Sequence, residues 1–215
     1  MEALALGFVL GILASIAAAW VVEYGARPSI VIEKAPVWGI QSQHPGPPGP
    51  VGVLFFHVQV RNVRRSLAPI GPRPAWAAHA ALEVEAEGGS LKVGPIDGRW
   101  SAHPEPVLPA AANNQTLLLL DPAKILEGRT IDVHGHAPLE LCALLKVAGE
   151  DDCYLFNNSS YPYPQWKNPA WRLPPGAYRL RIAVSYESGT ATAILRFQNP
   201  GQSSSGLVLL GVTKS

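Results

Sequence analysis

The chain has 215 residues and a formal net charge of +1, with 17 Lys and Arg against 16 Asp and Glu. One domain of ordinary size fits, with length to spare, and so even a charge balance leaves no electrostatic footprint for nucleic acid. Charged residues are only 15% of the sequence, low for a water-soluble chain, and part of that deficit sits at the N-terminus.

Ala3 to Val22 carries no charge. At about 1.5 Å per residue, such a helix covers the roughly 30 Å hydrocarbon core of a bilayer. Trp20 and Tyr24 suit the membrane interface, and Glu23, Arg27 and Pro28 close the segment. A transmembrane anchor over residues 1–26 is expected. A cleaved signal peptide fits less well: the N-terminus has Glu2 in place of a basic region, and apolar residues continue past Ala17-Ala18-Ala19. Gly7, Gly11 and Ser15 recur every four residues, which puts small side chains on one helix face. That face suits a packing helix, in a homo-oligomer or with a protein partner; the ordinary abundance of small residues in membrane helices explains it equally well. Arg27 and Lys34 favour a cytoplasmic domain by the positive-inside rule. Anchored β domains are commonly displayed outside, so the extracytoplasmic side is expected and the cytoplasmic side stays open.

Beyond residue 28 the period is two. Leu54-Phe56-Val58-Val60, Ala80-Leu82-Val84-Ala86, Leu139-Leu141-Ala143-Leu145-Val147 and Tyr178-Leu180-Ile182-Val184-Tyr186 each place apolar residues at alternate positions, the mark of strands with one buried face. Glu187-Ser188-Gly189 reads as a hairpin turn into a return strand over 190–197. Shorter strands are expected at 30–33, 91–93, 116–120 and 130–133. No amphipathic helix follows the anchor, so the sheets are antiparallel, split throughout by 21 Pro and 20 Gly. Pro45-Gly46-Pro47-Pro48-Gly49-Pro50 reads as a stiff loop, being too short for a triple helix. The β domain is expected over 27–200, with 201–215 as a tail or an edge strand.

Two stretches carry a resemblance. His57-Val58-Gln59-Val60-Arg61-Asn62, followed by the Ala-rich segment 77–81, resembles the opening of prokaryotic immunoglobulin-like domains, such as the fibronectin type III group and the bacterial cell-adhesion-related domain. Leu173-Pro174-Pro175-Gly176-Ala177-Tyr178-Arg179-Leu180 is similar to the proline-glycine-x-tyrosine lead-in to a late strand of those folds, and implies that Tyr178 anchors a corner. The layout also resembles uncharacterised anchored proteins of prokaryotes, which lend no site. The expected fold is therefore all-β: an antiparallel immunoglobulin-like β-sandwich preceded by one N-terminal transmembrane α-helix. The segment between Gly88 and Ile131 departs from a minimal sandwich and calls for extra strands or insertions.

No catalytic residue, cofactor site or metal site is singled out. His134 and His136 would share a strand face, but no third ligand of suitable spacing follows. No Met lies on a late loop for a copper centre, no Gly-x-Ser-x-Gly elbow occurs, and Glu150-Asp151-Asp152 lacks the alternating ligands of a calcium loop. Cys142 and Cys153 could form a disulfide in an oxidising compartment, closing a loop of about ten residues for roughly 2–3 kcal/mol; two unpaired thiols are the alternative. The most unusual segment holds Tyr154, Phe156, Tyr161, Tyr163, Trp166 and Trp171 between Asn, Ser and Pro. Its prolines forbid a regular helix or central strand. These rings could form a recognition surface for a protein or a sugar, or serve as the private core of a loop folded over the sandwich; the second is favoured. The expected function is that of a non-catalytic, membrane-anchored interaction or structural module, an accessory subunit of a membrane complex. A carbohydrate-binding envelope module using residues 154–171 and a metal protein or enzyme are the alternatives.

Overall fold

A computed structural model describes residues 2–44, 51–65, 71–112, 115–126, 129–135, 137–202 and 206–214. The Pro-Gly stretch 45–50 lies outside them. Helix α1 (Glu2–Ala26) is followed by β1 (Ile30–His44), β2 (Val51–Asn62), β3 (Ala75–Ala86), β4 (Lys92–Asp97), β5 (Arg99–Trp100), β6 (Val107–Ala112) and β7 (Gln115–Leu120). A five-residue helix α2 (Pro122–Leu126) precedes β8 (Thr130–Val133), β9 (Leu139–Val147), β10 (Cys153–Leu155), β11 (Arg172–Leu173), β12 (Gly176–Tyr186), β13 (Gly189–Asn199) and β14 (Val208–Lys214).

Two antiparallel sheets pack face to face. The first runs β1-β2-β9-β10-β11, with β5 also paired to β9; the second runs β14-β13-β12-β3-β4, with β8 also paired to β3. The period-two residues meet between them: Phe56, Val58 and Val60 of β2 and Leu141 of β9 face Ala80, Leu82 and Val84 of β3 and Leu180, Ile182 and Val184 of β12. Fully burying one such Leu, Ile or Phe contributes about 1.5–3 kcal/mol. The outer face of the second sheet is a charge ladder, with Arg179 on Glu85, Lys92 on Glu83 and Arg196 on Glu87, which keeps that face in water. The chain's last segment is the edge strand β14, not a loose tail.

The extra length between residues 88 and 131 is resolved into β4 to β8. Gly98 carries the chain from the second sheet to the first; a Cβ there would stand 2.9 Å from both the Ala80 Cβ and a Leu141 methyl. Among the described residues, strands β6 and β7 pair only with each other.

One expected strand pattern needs correction. Ala143 is an extra residue in β9, since Phe56 pairs with Leu144 while His57 pairs with Cys142. This bulge switches the faces of the strand. Leu139, Leu141 and Ala143 turn inward, as the alternation implies, but Leu145 and Val147 turn outward into a second cluster while Leu144 faces the main core.

Helix α1 is long and apolar enough to cross a membrane, with mean hydropathy 1.8 over Gly7–Ala26; in that stretch only Gly25 and Ala26, at its end, are buried. Its end is nevertheless fastened. The Arg73 backbone N–H donates to the Ala26 carbonyl at 2.7 Å, Arg73 pairs with Glu23 at 3.0 Å, and the Arg65 guanidinium lies 4.3 Å above the Tyr24 ring. Asn62, 2% exposed, staples the same end: its amide donates to the Arg73 and Val133 carbonyls and its oxygen accepts from the Ser29 N–H.

Candidate functional site

The aromatic segment folds into three short 3-10 turns. Asn157 opens the first: its side-chain oxygen accepts from the Ser159 N–H at 2.8 Å, and the Ser160 hydroxyl accepts from the Asn157 N–H at 3.3 Å. The Asn157 amide also donates to the Asp97 carbonyl, tying the loop to the edge of the second sheet. Proline begins the second and third turns, where the missing N–H costs nothing.

The rings mostly face inward. Tyr154 is 7% exposed, Phe156 2% and Trp166 8%, and they cover the outward apolar face of the first sheet formed by Val53, Cys142, Leu145 and Val147. Phe55 stands 5.0 Å from Phe156 and 5.4 Å from Trp166, and Tyr161 stands 5.7 Å and 5.6 Å from the same two rings. Trp171 packs half-buried against the main core. Only Tyr163, at 38%, is exposed. Most of the six rings are thus turned inward: the β9 bulge leaves apolar residues outside the sandwich, and the loop covers them.

Beneath the loop a polar row crosses three strands: His57 on β2 and Arg99 on β5 both stand opposite Cys142 on β9. Arg99 donates to the His103 carbonyl at 3.1 Å and lies 6.0 Å from the Tyr161 ring centre. His57 Nδ1 and Arg99 Nε have no hydrogen-bond partner among the described residues. Burial, with the Arg99 cation adding to it and Glu140 opposing it, holds the His57 imidazole below its ordinary range. Burial pushes the Cys142 thiol up to about 12 despite the nearby Arg99, and raises the Tyr161 phenol. A reactive cysteine needs its thiolate stabilised; here burial favours the neutral thiol and the neutral imidazole.

The disulfide expectation is also corrected. Cys142 and Cys153 are free and buried. Cys153 pairs with Lys146 and faces the inner core, while Cys142 faces the outer cluster. The extra residue Ala143 separates them onto opposite faces. Burial raises the Cys153 thiol to about 12 as well.

Lys146, 2% exposed, was legible only as a polar residue on a strand. The bulge turns it between the sheets, where its ammonium donates to Asn199 Oδ1 at 2.7 Å and the Gly201 carbonyl at 2.8 Å. Burial lowers its pKa. Asn199 in turn donates to the carbonyls of Asp151 and Leu173, so the pair staples β9 to the end of β13.

Among the described residues no group of three or more His, Cys, Asp and Glu could hold a metal; His134 is exposed, and His136 lies outside those residues. Among the described residues none packs on Gly7 or Gly11, and Ser15 donates to the Gly11 carbonyl at 2.8 Å. On the β6–β7 hairpin Leu108 is 45% and Leu119 53% exposed; Val37 on β1, at 59%, and Val208 and Leu210 on β14, at 49% and 50%, are the other open aliphatic side chains of that degree among the described residues of the β domain. Comparison with protein-family models, with curated proteins and with solved structures finds no match.

Proposed function

We propose that the protein is a non-catalytic, single-pass membrane-anchored interaction module, an accessory subunit whose β domain is immunoglobulin-like. The observation carrying the interaction reading is the β6–β7 hairpin. A lone two-stranded hairpin is marginal in water, and exposed leucines on it favour a covering surface. Among the described residues neither strand pairs with either sheet of the sandwich, so a protein partner in the same membrane complex is the natural cover. The immunoglobulin-like reading is supported by the strand orders β1-β2-β9 and β13-β12-β3, which fit the A-B-E and G-F-C strands of that fold. It is supported also by Tyr178, whose hydroxyl donates to the Pro174 carbonyl at 2.6 Å at the start of the strand in the F position, the geometry of a tyrosine corner. A sugar-stacking role for residues 154–171 loses support with the burial of their rings.

The test is the size of the native complex in mildly solubilised membranes. Wild-type protein migrates in an assembly larger than its own micelle, and Leu119→Asp releases it as a folded protomer. Wild-type protein migrating alone, or a Leu119→Asp complex of unchanged size, defeats the hairpin reading. Proteolysis of intact and opened cells tests the anchor and its sidedness; digestion of the domain from outside supports the extracytoplasmic placement.

A further inference from the structure

A pocket of about 450 Å³ opens where α1 meets the sandwich, within the size range of small-ligand sites. Glu23 and Arg27 of the helix end, Arg73, Trp76 and Glu187 line it. Its level is that of Trp20 and Tyr24, stacked and exposed one turn away, where aromatic side chains meet lipid headgroups.

The backbone is bent to aim Trp76 there. On β3, Trp76 and Ala77 together oppose the single residue Asp132 of β8, since Ala75 pairs with Val133 and Ala78 with Ile131. Ala77 has φ 49°, a left-handed conformation costly for a residue with a Cβ. The Asp132 carboxylate accepts the Ala77 N–H at 2.9 Å and holds that geometry. Trp76 emerges 47% exposed, its ring edge-on to His134 at 6.0 Å. A large aromatic turned out of a sheet by a strained bulge marks a place where function outweighs local stability.

The charges of the pocket are sorted in a particular way. Arg73 and Glu23 neutralise each other. Arg27 and Glu187 are exposed and form no ion pair with any described residue. One unpaired cation, one unpaired anion and one open aromatic face match a ligand that carries an anion and an ammonium together.

We infer that the junction seats the headgroup of a zwitterionic phospholipid, with Arg27 on the phosphate, Glu187 on the ammonium and the Trp76 face against the ammonium. Guanidinium–phosphate and ammonium–aromatic contacts supply the recognition. The inference rests on the membrane-anchor reading above.

Full-length protein is reconstituted in nanodiscs holding equal parts of phosphatidylethanolamine, phosphatidylcholine and phosphatidylglycerol, and the lipids retained on release are counted by native mass spectrometry. Ammonium-bearing lipids are retained about fivefold over phosphatidylglycerol, the size expected of one surface ion pair and one exposed cation–π contact. Arg27→Ala, Glu187→Gln and Trp76→Ala each lower that ratio toward one; all three positions are exposed, so folding is preserved. Equal retention by the wild type, or a preference that survives in the Arg27→Ala/Glu187→Gln double variant, overturns the site. Soluble phosphoethanolamine binding the detergent-solubilised protein as tightly as the lipid overturns the assignment to a lipid. Flotation with liposomes separates the two readings: wild-type protein that fails to float defeats the anchor and the headgroup site together, whereas protein that floats without lipid preference defeats only the site.

Discussion

Replacing Phe156 by Ala tests whether the aromatic loop is a structural plug. Phe156 is 2% exposed and touches Phe55, Tyr161 and Trp166, so truncation opens a cavity at the centre of the cluster. A buried Phe→Ala change costs about 3–5 kcal/mol, and ring pairs of this geometry add to the area effect. For a domain of this size each kcal/mol lowers the melting temperature by about 2–4 °C, so a fall on the order of 10 °C is expected. Thermal unfolding of the full chain in detergent, followed by circular dichroism, measures it. Tyr163→Ala serves as the contrast, because its exposed ring limits the change to within about 0.5 kcal/mol. A Phe156→Ala loss below about 1 kcal/mol, or one equal to that of Tyr163→Ala, refutes the plug and returns the loop to the status of a binding surface.

The other predictions concern the polar interior. Lys146→Met leaves the Asn199 and Gly201 oxygens without their charged donor and costs roughly 2–3 kcal/mol in chemical denaturation; a stabilised variant would contradict the staple. His57 is held below its ordinary pKa, so on acidification the unfolded chain takes up a proton that the folded one resists. Stability from this group is therefore present above the ordinary histidine range and declines as pH falls through it toward the depressed folded value; His57→Asn makes the loss between about pH 7.5 and about pH 5 shallower, and an unchanged slope counts against the assignment. Maleimide without reductant labels neither cysteine in the folded protein and both after denaturation; a mass two hydrogens short, with no adduct, would restore the disulfide. Tyr178→Phe removes the hydroxyl bond to Pro174 and costs about 1–1.5 kcal/mol, read from denaturation midpoints.

Much of the architecture was legible in the chain itself. An uncharged run of sufficient length marks a helix able to span a membrane, because length and polarity alone set that property. Leu54-Phe56-Val58-Val60 and Tyr178-Leu180-Ile182-Val184 marked inward faces because side chains alternate along a strand. The Pro-Gly lead-in singled out Tyr178 only through its resemblance to immunoglobulin-like domains; in the structure the Tyr178 hydroxyl donates to the Pro174 carbonyl. Hidden were the features that depend on which strand lies beside which. Strand β5 is two residues long and exists only because β9 receives it. The bulge at Ala143 leaves no signature in an apolar run, since every residue from Leu141 to Leu145 is compatible with either face. That single extra residue turned Lys146 inward, put Cys142 and Cys153 on opposite faces and created the outer surface that the aromatic loop covers. The bulge at Trp76 and Ala77 was equally silent, because two neighbouring residues are ordinary until a partner strand offers one position for both. Periodicity thus determined the strands and the helix, while cross-strand register, a property of the assembled sheets, decided which side chains could meet.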